Sequence, residues 1–535
     1  MKKFLATLLA LAMFLSMCSI PALADDAPVV TFYVRGGAGA HDPYLTQAMV
    51  GLQTIQGLAG VTIDWQVVNG SNEEIDVAHT GMLASGNYPD IIKWNNEAAY
   101  VGGINQMYND GIIIELNDVI DQYMPNLKKI LEENPDVAND MMNDNGQFLY
   151  FTAINPLTTL DDVTSITSYG LLARADWLEN VGLEVPTNID EWYEVLSAFK
   201  TMDPNGNGLQ DEIPLDAGSA GHLLFMPAFD IMSGVYIDPA TGKVAYGEYS
   251  EGYRGYLETM AKWYAEGLLV DAFADDTGAY GDYPDEDIFA NLAGSWKGLA
   301  NYWEQRLPPV LEKAPNADFV AVPWPADAQG KAYSGYTSFS RVSTDTVVIT
   351  TSCKDIEAAA RLIDTMYSEA GSIAMTWGTL DTPEEPGTYG IDENGNKYTT
   401  DWAMENIDFH GSTFPRLYSI AMYHANYPRF GQTDFTTATY SDEYMGACRT
   451  WSEASFDLVF PMTVSLSADE QRAATASVDD INQYIHDMQF KFITGQEPLT
   501  NFDNYIDTLQ RMGIEDLIAA YQAAYDRYLA RGTQK

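Results

Sequence analysis

The sequence predicts an α/β architecture spread over more than one domain, and three observations lead there. Short apolar or β-branched runs, among them residues 29–34, 61–67 and 347–349, alternate with stretches whose apolar residues recur at helical spacing, as in residues 356–367. The chain has 535 residues, too many for one hydrophobic core but suited to two or three. Hydrophobic residues make up 46%, enough to fill those cores, and a disordered chain is excluded.

Taken in order, the chain begins with an address. Lys2 and Lys3 precede an apolar run at 4–17, and Ala22-Leu23-Ala24 offers a small-x-small cleavage site, so residues 1–24 read as an export signal. Leu15-Ser16-Met17-Cys18 resembles a lipobox with Met17 where a small residue is expected, so lipid anchoring at Cys18 and plain secretion are the two alternatives. Without Cys18, only Cys353 and Cys448 remain, as one disulfide or as two buried thiols. Residues 29–34 form a first strand, followed by the flexible loop Gly36-Gly37-Ala38-Gly39-Ala40-His41, which lacks the spacing of a phosphate cradle. Residues 61–67 alternate as a half-buried strand, and Gly86 and Pro89 end a helix before a buried strand that finishes at Lys93-Trp94. In open parallel sheets ligands collect beyond the carboxyl ends of strands, which makes Trp94 a candidate contact. Residues 146–150 read as a further strand.

Residues 170–215 combine a strand, two helices and an acidic loop. The second helix is capped at Thr187 or Asn188 and places Ile189, Trp192, Leu196 and Phe199 on one face. The loop reads D-P-N-G-N-G-L-Q-D-E, with side-chain oxygens at Asp203, Asn205, Asn207, Asp211 and Glu212, a main-chain carbonyl at Leu209, and Gly206 and Gly208 permitting tight turns. Calcium takes about six to eight oxygen ligands, and this loop supplies them. Pro214 stands where an EF-hand has its bidentate glutamate, so the expectation is a structural calcium loop outside the standard hand. Residues 392–397 have fewer acids and include Lys397, and read as a plain turn.

Arg174, Asp176, Trp177, Leu178, Gly182, Leu183, Val185, Pro186, Thr187, Glu191 and Trp192 spell R-x-D-W-L-x-x-x-G-L-x-V-P-T-x-x-x-E-W ahead of that loop. With A-S-G-N-Y-P-D-I at 84–91 and closing helices around Phe502, Gly513 and Tyr521, the chain resembles the extracellular solute-binding proteins, family 1, of bacterial ABC importers. The resemblance covers nearly the whole mature chain, thinnest at 216–290 and 401–460. It implies a two-lobed, type II periplasmic-binding-protein-like fold with a hinge, a cleft and lobes discontinuous in sequence. The first lobe would take residues 25–150 and 338–405, and the second 151–337 and 406–535, including the loop 203–212. Crossings near 150–168 and 333–340 would leave the termini in different lobes. A monomer at the extracellular face, lipid-anchored or secreted, would deliver its solute to ABC permease subunits.

Composition narrows the chemistry. A net charge of −48 excludes nucleic acid as a partner, because phosphate binding needs a cationic face. There are 6 histidines but no H-E-x-x-H, C-x-x-C or G-x-S-x-G, so zinc or serine chemistry has little to work with. A secreted glycoside hydrolase needs two carboxylates, but 76 acidic residues always provide a pair, and acidity alone does not discriminate. The expectation is a binder and not an enzyme. No later stretch is long and apolar enough to span a bilayer.

The 11 Trp, 33 Tyr and 21 Phe supply flat apolar faces with polar edges, on which sugars stack. Since the resembling family leans to carbohydrates, an oligosaccharide is the expected ligand, with a peptide or cation drawn by the acidic surface as its rival. Tryptophans after strands or small-residue turns are the expected platforms: Trp94 and Trp377 from the first lobe, Trp296 and Trp402 from the second or its border. Arg174, Tyr336 and His41 are the polar candidates, Arg174 having the alternative of pairing with Asp176.

Overall fold

Seven strands build two central sheets: β1 Val29–Arg35, β2 Thr62–Val68, β3 Ile91–Trp94, β4 Tyr169–Arg174, β5 Ser295–Leu299, β6 Phe319–Val322 and β7 Thr346–Ile349. The computed structural model describes residues 26–531 apart from 36–49, 69, 95–99, 101, 157–166, 219, 271–283, 337–339, 344–345, 384, 407–427, 433 and 435–440. The chain divides into two compact units. Unit 1 holds residues 1–156, 340–439 and 528–535, and unit 2 holds 157–339 and 440–527.

In unit 1 the sheet order is β7-β3-β1-β2, with β1 parallel to β2 and β3, and β7 antiparallel to β3. Both faces of β1 are covered, which explains its almost unbroken apolar sequence. Val30, Phe32 and Val34 enter one core with Leu362, Ile363 and Met366, while Tyr33 enters another with Ile92, Met107 and Val348. The helix Ile356–Tyr367 lies where its periodicity predicts, and Asp355 caps it by accepting from the Ala358 amide. Residues 146–150 do not form the expected strand. Phe148 and Phe151 make only single bridges, to Met142 and Val347, and the short strand Ala153–Ile154 pairs in parallel with Arg429–Phe430.

Unit 2 has the order β5-β4-β6, both pairings antiparallel. Gly170 on β4 leaves room for the Trp451 ring, which a Cβ would meet at 2.4 Å. The helix Ile189–Thr201 buries Trp192, Val195, Leu196 and Phe199 and is capped by Asn188, which accepts from the Glu191 amide. Glu191 reaches back to the amide and hydroxyl of Thr187, a reciprocal cap displaced by one residue.

Two tyrosine hydroxyls hold the backbone on either side of the first passage between units. Tyr367 accepts from the Thr152 amide and donates to the Thr152 carbonyl, at 3.1 and 2.6 Å. Tyr336 does the same to Tyr169, at 2.7 and 2.6 Å.

The division differs from the expected lobe limits. Residues 406–439 and 528–535 belong to unit 1, so the chain passes between units at 439/440 and 527/528 as well as at 156/157 and 339/340, and the described residues nearest each end lie in unit 1. At the C-terminus, Tyr528 donates to Asp140 and Arg531 to Asp144, at 2.7 and 2.9 Å. Cys353 lies in unit 1 and Cys448 in unit 2, both buried free thiols that burial pushes up to about 12.

In unit 2 the long helix Ala468–Ile493 is tied to the final helix by Arg527, whose two Nη atoms reach the two Glu470 oxygens at 2.6 Å each. These bonds, with help from Ser467, hold the Glu470 carboxyl down to about 2. A carboxyl that stays ionised further in the folded state than its ordinary 4.5 contributes stability that is complete above that value and lost as pH falls toward 2. Glu470→Gln should therefore lower stability at pH 7 by roughly 1.5 kcal/mol and flatten the acid limb between pH 4.5 and 2. Melting curves against pH check this, and an acid limb matching the wild type would refute it.

Candidate functional site

The acidic loop follows directly from the helix Ile189–Thr201. Asp203 takes a left-handed φ of 48°, and Gly206 and Gly208 follow at 70° and 79°, so the chain curls on itself. Inside the curl Asp203 Oδ2 accepts from the Gly208 amide at 3.0 Å, Asn205 Oδ1 from the Asn207 amide at 3.0 Å, and Asn207 Oδ1 from the Leu209 amide at 2.7 Å. Asn207 Nδ2 donates to Asp211 Oδ1 at 2.9 Å. Three carboxylate oxygens are left over: Asp203 Oδ1 and both oxygens of Glu212 are buried without a hydrogen-bond partner. Desolvation pushes the Glu212 carboxyl above its ordinary value, partly opposed by the nearby main-chain amides of Glu212 and Asp211, which fall short of full hydrogen-bond geometry, and reinforced by the charges of Asp203 and Asp211. Buried carboxylate oxygens without donors are costly, and a hard cation is the partner that satisfies several at once.

Among the described residues, no three carboxylate, imidazole or thiol side chains converge in a way that could hold a metal ion. The oxygen donors of this loop, the carboxylates of Asp203, Asp211 and Glu212 with the side-chain amides of Asn205 and Asn207 and the Leu209 carbonyl, are of the type that calcium takes and zinc does not. The turn at 392–397 is the contrast: Asp392 Oδ1 accepts from the amides of Asn394 and Asn396, and Oδ2 from Asn396 Nδ2.

Four of the expected ligand contacts are packed inside their own unit. Arg174 is 1% exposed, its guanidinium held by Asp176 at 2.8 and 2.7 Å and by Asn291 Oδ1 at 2.5 Å, and it lies over the Trp177 ring. All three of its guanidinium nitrogens are thus engaged within unit 2. Trp296 is fully buried, edge-on to Phe319 at 5.0 Å. Trp377 is buried against Tyr389, with its Nε1 3.3 Å from Asp434 Oδ1. Tyr336 is buried and spends its hydroxyl on Tyr169. Trp402, by contrast, is 38% exposed on the helix Asp401–Asn406, and Trp94 occupies the carboxyl end of β3. His41 lies outside the described residues.

Two concavities escaped the sequence reading. In unit 1, about 250 Å³ is lined by Asp76, His79, Thr80, Leu83, Tyr100 and Ile112. Its Tyr100 hydroxyl donates to Asp110 at 2.6 Å, and that bond pushes the phenol up to about 12. In unit 2, a groove of about 600 Å³ has Trp303, Leu307 and Phe319 among its apolar residues and Asp318, Ser441 and Glu443 among its polar ones. Trp303 comes four residues after the end of β5, so the rule that nominated the other tryptophans could have found it.

Residues 47–373 match the protein family described as bacterial extracellular solute-binding protein. The chain is 27% identical over 506 residues to the fructooligosaccharide ABC transporter substrate-binding protein FusA of Streptococcus pneumoniae serotype 4 (strain ATCC BAA-334 / TIGR4), covering 90% of this chain and 87% of that protein. Among solved structures it resembles the S. pneumoniae FusA EF-hand mutant in complex with fructo-nystose, with TM-score 0.69, 23% identity, and coverage of 94% of this chain and 99% of that one. It also resembles an HMO-binding ABC-transporter-associated solute-binding protein from Bifidobacterium longum infantis ATCC 15697, with TM-score 0.71, 20% identity and the same coverage.

A fully buried ring acts on stability and not on a solute. Trp296→Ala should cost about 3–5 kcal/mol in denaturant unfolding. A variant as stable as the wild type would show that the ring carries no core packing.

Proposed function

Because the chain belongs to the bacterial extracellular solute-binding proteins, we propose that it is the receptor of an ABC importer that captures a neutral oligosaccharide and delivers it to membrane permease subunits. Its fold is the two-lobed, type II periplasmic-binding-protein-like fold. The observation that carries the ligand class is the likeness to a fructooligosaccharide receptor along 90% of the chain. The charge of −48 agrees with a neutral solute, since it disfavours acidic sugars. The activity is binding and not catalysis. The protein works outside the cell membrane as a monomer, released or held by a lipid at Cys18, and among the described residues no helix is long and apolar enough to cross a membrane. Trp402, Trp94 and His41 remain the solute contacts of this reading.

The loop at 203–212 is a structural calcium site in the same reading. Asp203, Asn205, Asn207, Asp211, Glu212 and the Leu209 carbonyl would hold the ion, and the three buried carboxylate oxygens support it. The description of a relative's structure as an EF-hand mutant supports it too. Calcium would supply positive charge where Asp203, Asp211 and Glu212 repel one another. Asn205 Nδ2 donates to the Asn291 carbonyl, so ordering the loop also steadies the approach to β5.

A thermal-shift screen of neutral oligosaccharides, acidic sugars, peptides and polyamines tests the receptor reading. A neutral saccharide should raise the melting temperature and be recovered intact, whereas stabilisation by peptides or polyamines alone would refute it, and cleavage would restore the hydrolase. Calcium should raise the melting temperature with concentration, by about 2.7 kcal/mol in stability at a hundred times its Kd. The rise should vanish in Asp203→Ala. Melting indifferent to both chelator and substitution would leave the loop a turn.

A further inference from the structure

The groove in unit 2 is not among the contacts named above, and its construction is specific. One wall is the strand β6 with Asp318 before it, the other is one face of the helix Asp442–Ser452, and Trp303 and Leu307 complete the lining. We propose that this groove is a saccharide-binding subsite in which a sugar ring lies against Trp303 and its hydroxyls bond to the acidic and hydroxyl groups at the rim.

Size admits this, because about 600 Å³ falls inside the roughly 300–1,000 Å³ of small-molecule sites. Chemistry selects it. A sugar ring presents an apolar C–H face and a belt of hydroxyls, and the groove offers the complements: Trp303 and Leu307 for the face, with Phe319 packed behind them, and Asp318, Glu443, Ser441 and Thr450 for the belt. The lining residues include two carboxylates and no cation, so hydroxyl hydrogens find acceptors while an anionic sugar is repelled.

The walls are also fixed in advance. Phe319 is wedged between Trp296 and Trp303, with ring centres at 5.0 and 6.3 Å. Asp318 is oriented by the Phe319 amide, which it accepts at 2.8 Å, and Ser441 by the Tyr444 amide at 3.1 Å. The helix wall presents Glu443, Gly446, Ala447 and Thr450, the spacing of a single face. Gly446 is informative. Glycine inside a helix costs about 1 kcal/mol against alanine, yet nothing lies within 4 Å of where its Cβ would stand. No close neighbour requires the missing side chain, and what its absence leaves is open space in the groove.

The subsite rests on the reading of the protein as a saccharide receptor, and its test separates the two. Calorimetric titration of the full chain with a panel of neutral tri- and tetrasaccharides would be compared with Trp303→Ala, which removes the platform, and Gly446→Leu, which fills the groove. Each variant should bind the saccharide about tenfold more weakly, and Gly446→Leu should melt no lower than the wild type when unliganded. Wild-type affinity in both variants overturns the subsite while leaving the receptor reading intact. Absence of saccharide binding in the wild type overturns both. Peptide binding that Gly446→Leu abolishes would make the groove a peptide cleft and overturn the saccharide assignment.

Discussion

A guanidinium without water must be neutralised by its surroundings, and much of unit 2 follows from where Arg174 finds its partners. Removing such a charge from solvent costs several kcal/mol unless the geometry returns it. Arg174 ends β4, Asp176 opens the helix Ala175–Val181, and Asn291 stands in the turn that leads into β5, so one buried cation fixes three elements at a point. Asn291 holds a left-handed φ of 64°, a conformation tolerated better by asparagine than by most side chains, and its carbonyl receives Asn205 from the acidic loop. Asp176 also accepts, at 3.4 Å, from the amide of Asp318 at the mouth of the groove. The acidic loop and the groove are thus anchored to one ion pair.

Repetition in the sequence made most of the scaffold legible. The helices Ile189–Thr201 and Ile356–Tyr367 and the strands of unit 1 carry periodic apolar patterns and recognisable caps. The curl of the acidic loop was legible because glycines alternate there with short side chains that accept from the backbone. At Trp296 the tryptophan rule met a buried ring, because a small residue beside an indole has two physical meanings. At Gly294 a Cβ would stand 2.5 Å from the Phe199 ring, and at Gly298 2.4 Å from Leu172, so the glycines around Trp296 are there to let the core close. Local sequence does not distinguish that need from access for a solute. Likewise residues 146–150 have the composition of a strand, but strand pairing is decided by distant partners, and only isolated bridges are available there.

The groove illustrates the converse. Trp303, Asp318 and Glu443 are remote in sequence and each is unremarkable alone; only the packing of the helix Asp442–Ser452 beside β6 makes them neighbours. Sugar recognition asks for such neighbours, since a single ring face binds weakly until acceptors hold the hydroxyls around it.

The connectivity of the two units sets the order in which this chain can become native. Unit 1 contains β1, β2 and β3 but needs β7 and the helix Ile356–Tyr367 for its sheet and core, and Tyr528 and Arg531, which follow unit 2 in sequence, also belong to it. A chain emerging N-terminus first therefore cannot finish its first unit before most of its second has appeared, and β1, β2 and β3 must wait with an apolar face uncovered. The dense negative charge keeps such waiting copies apart.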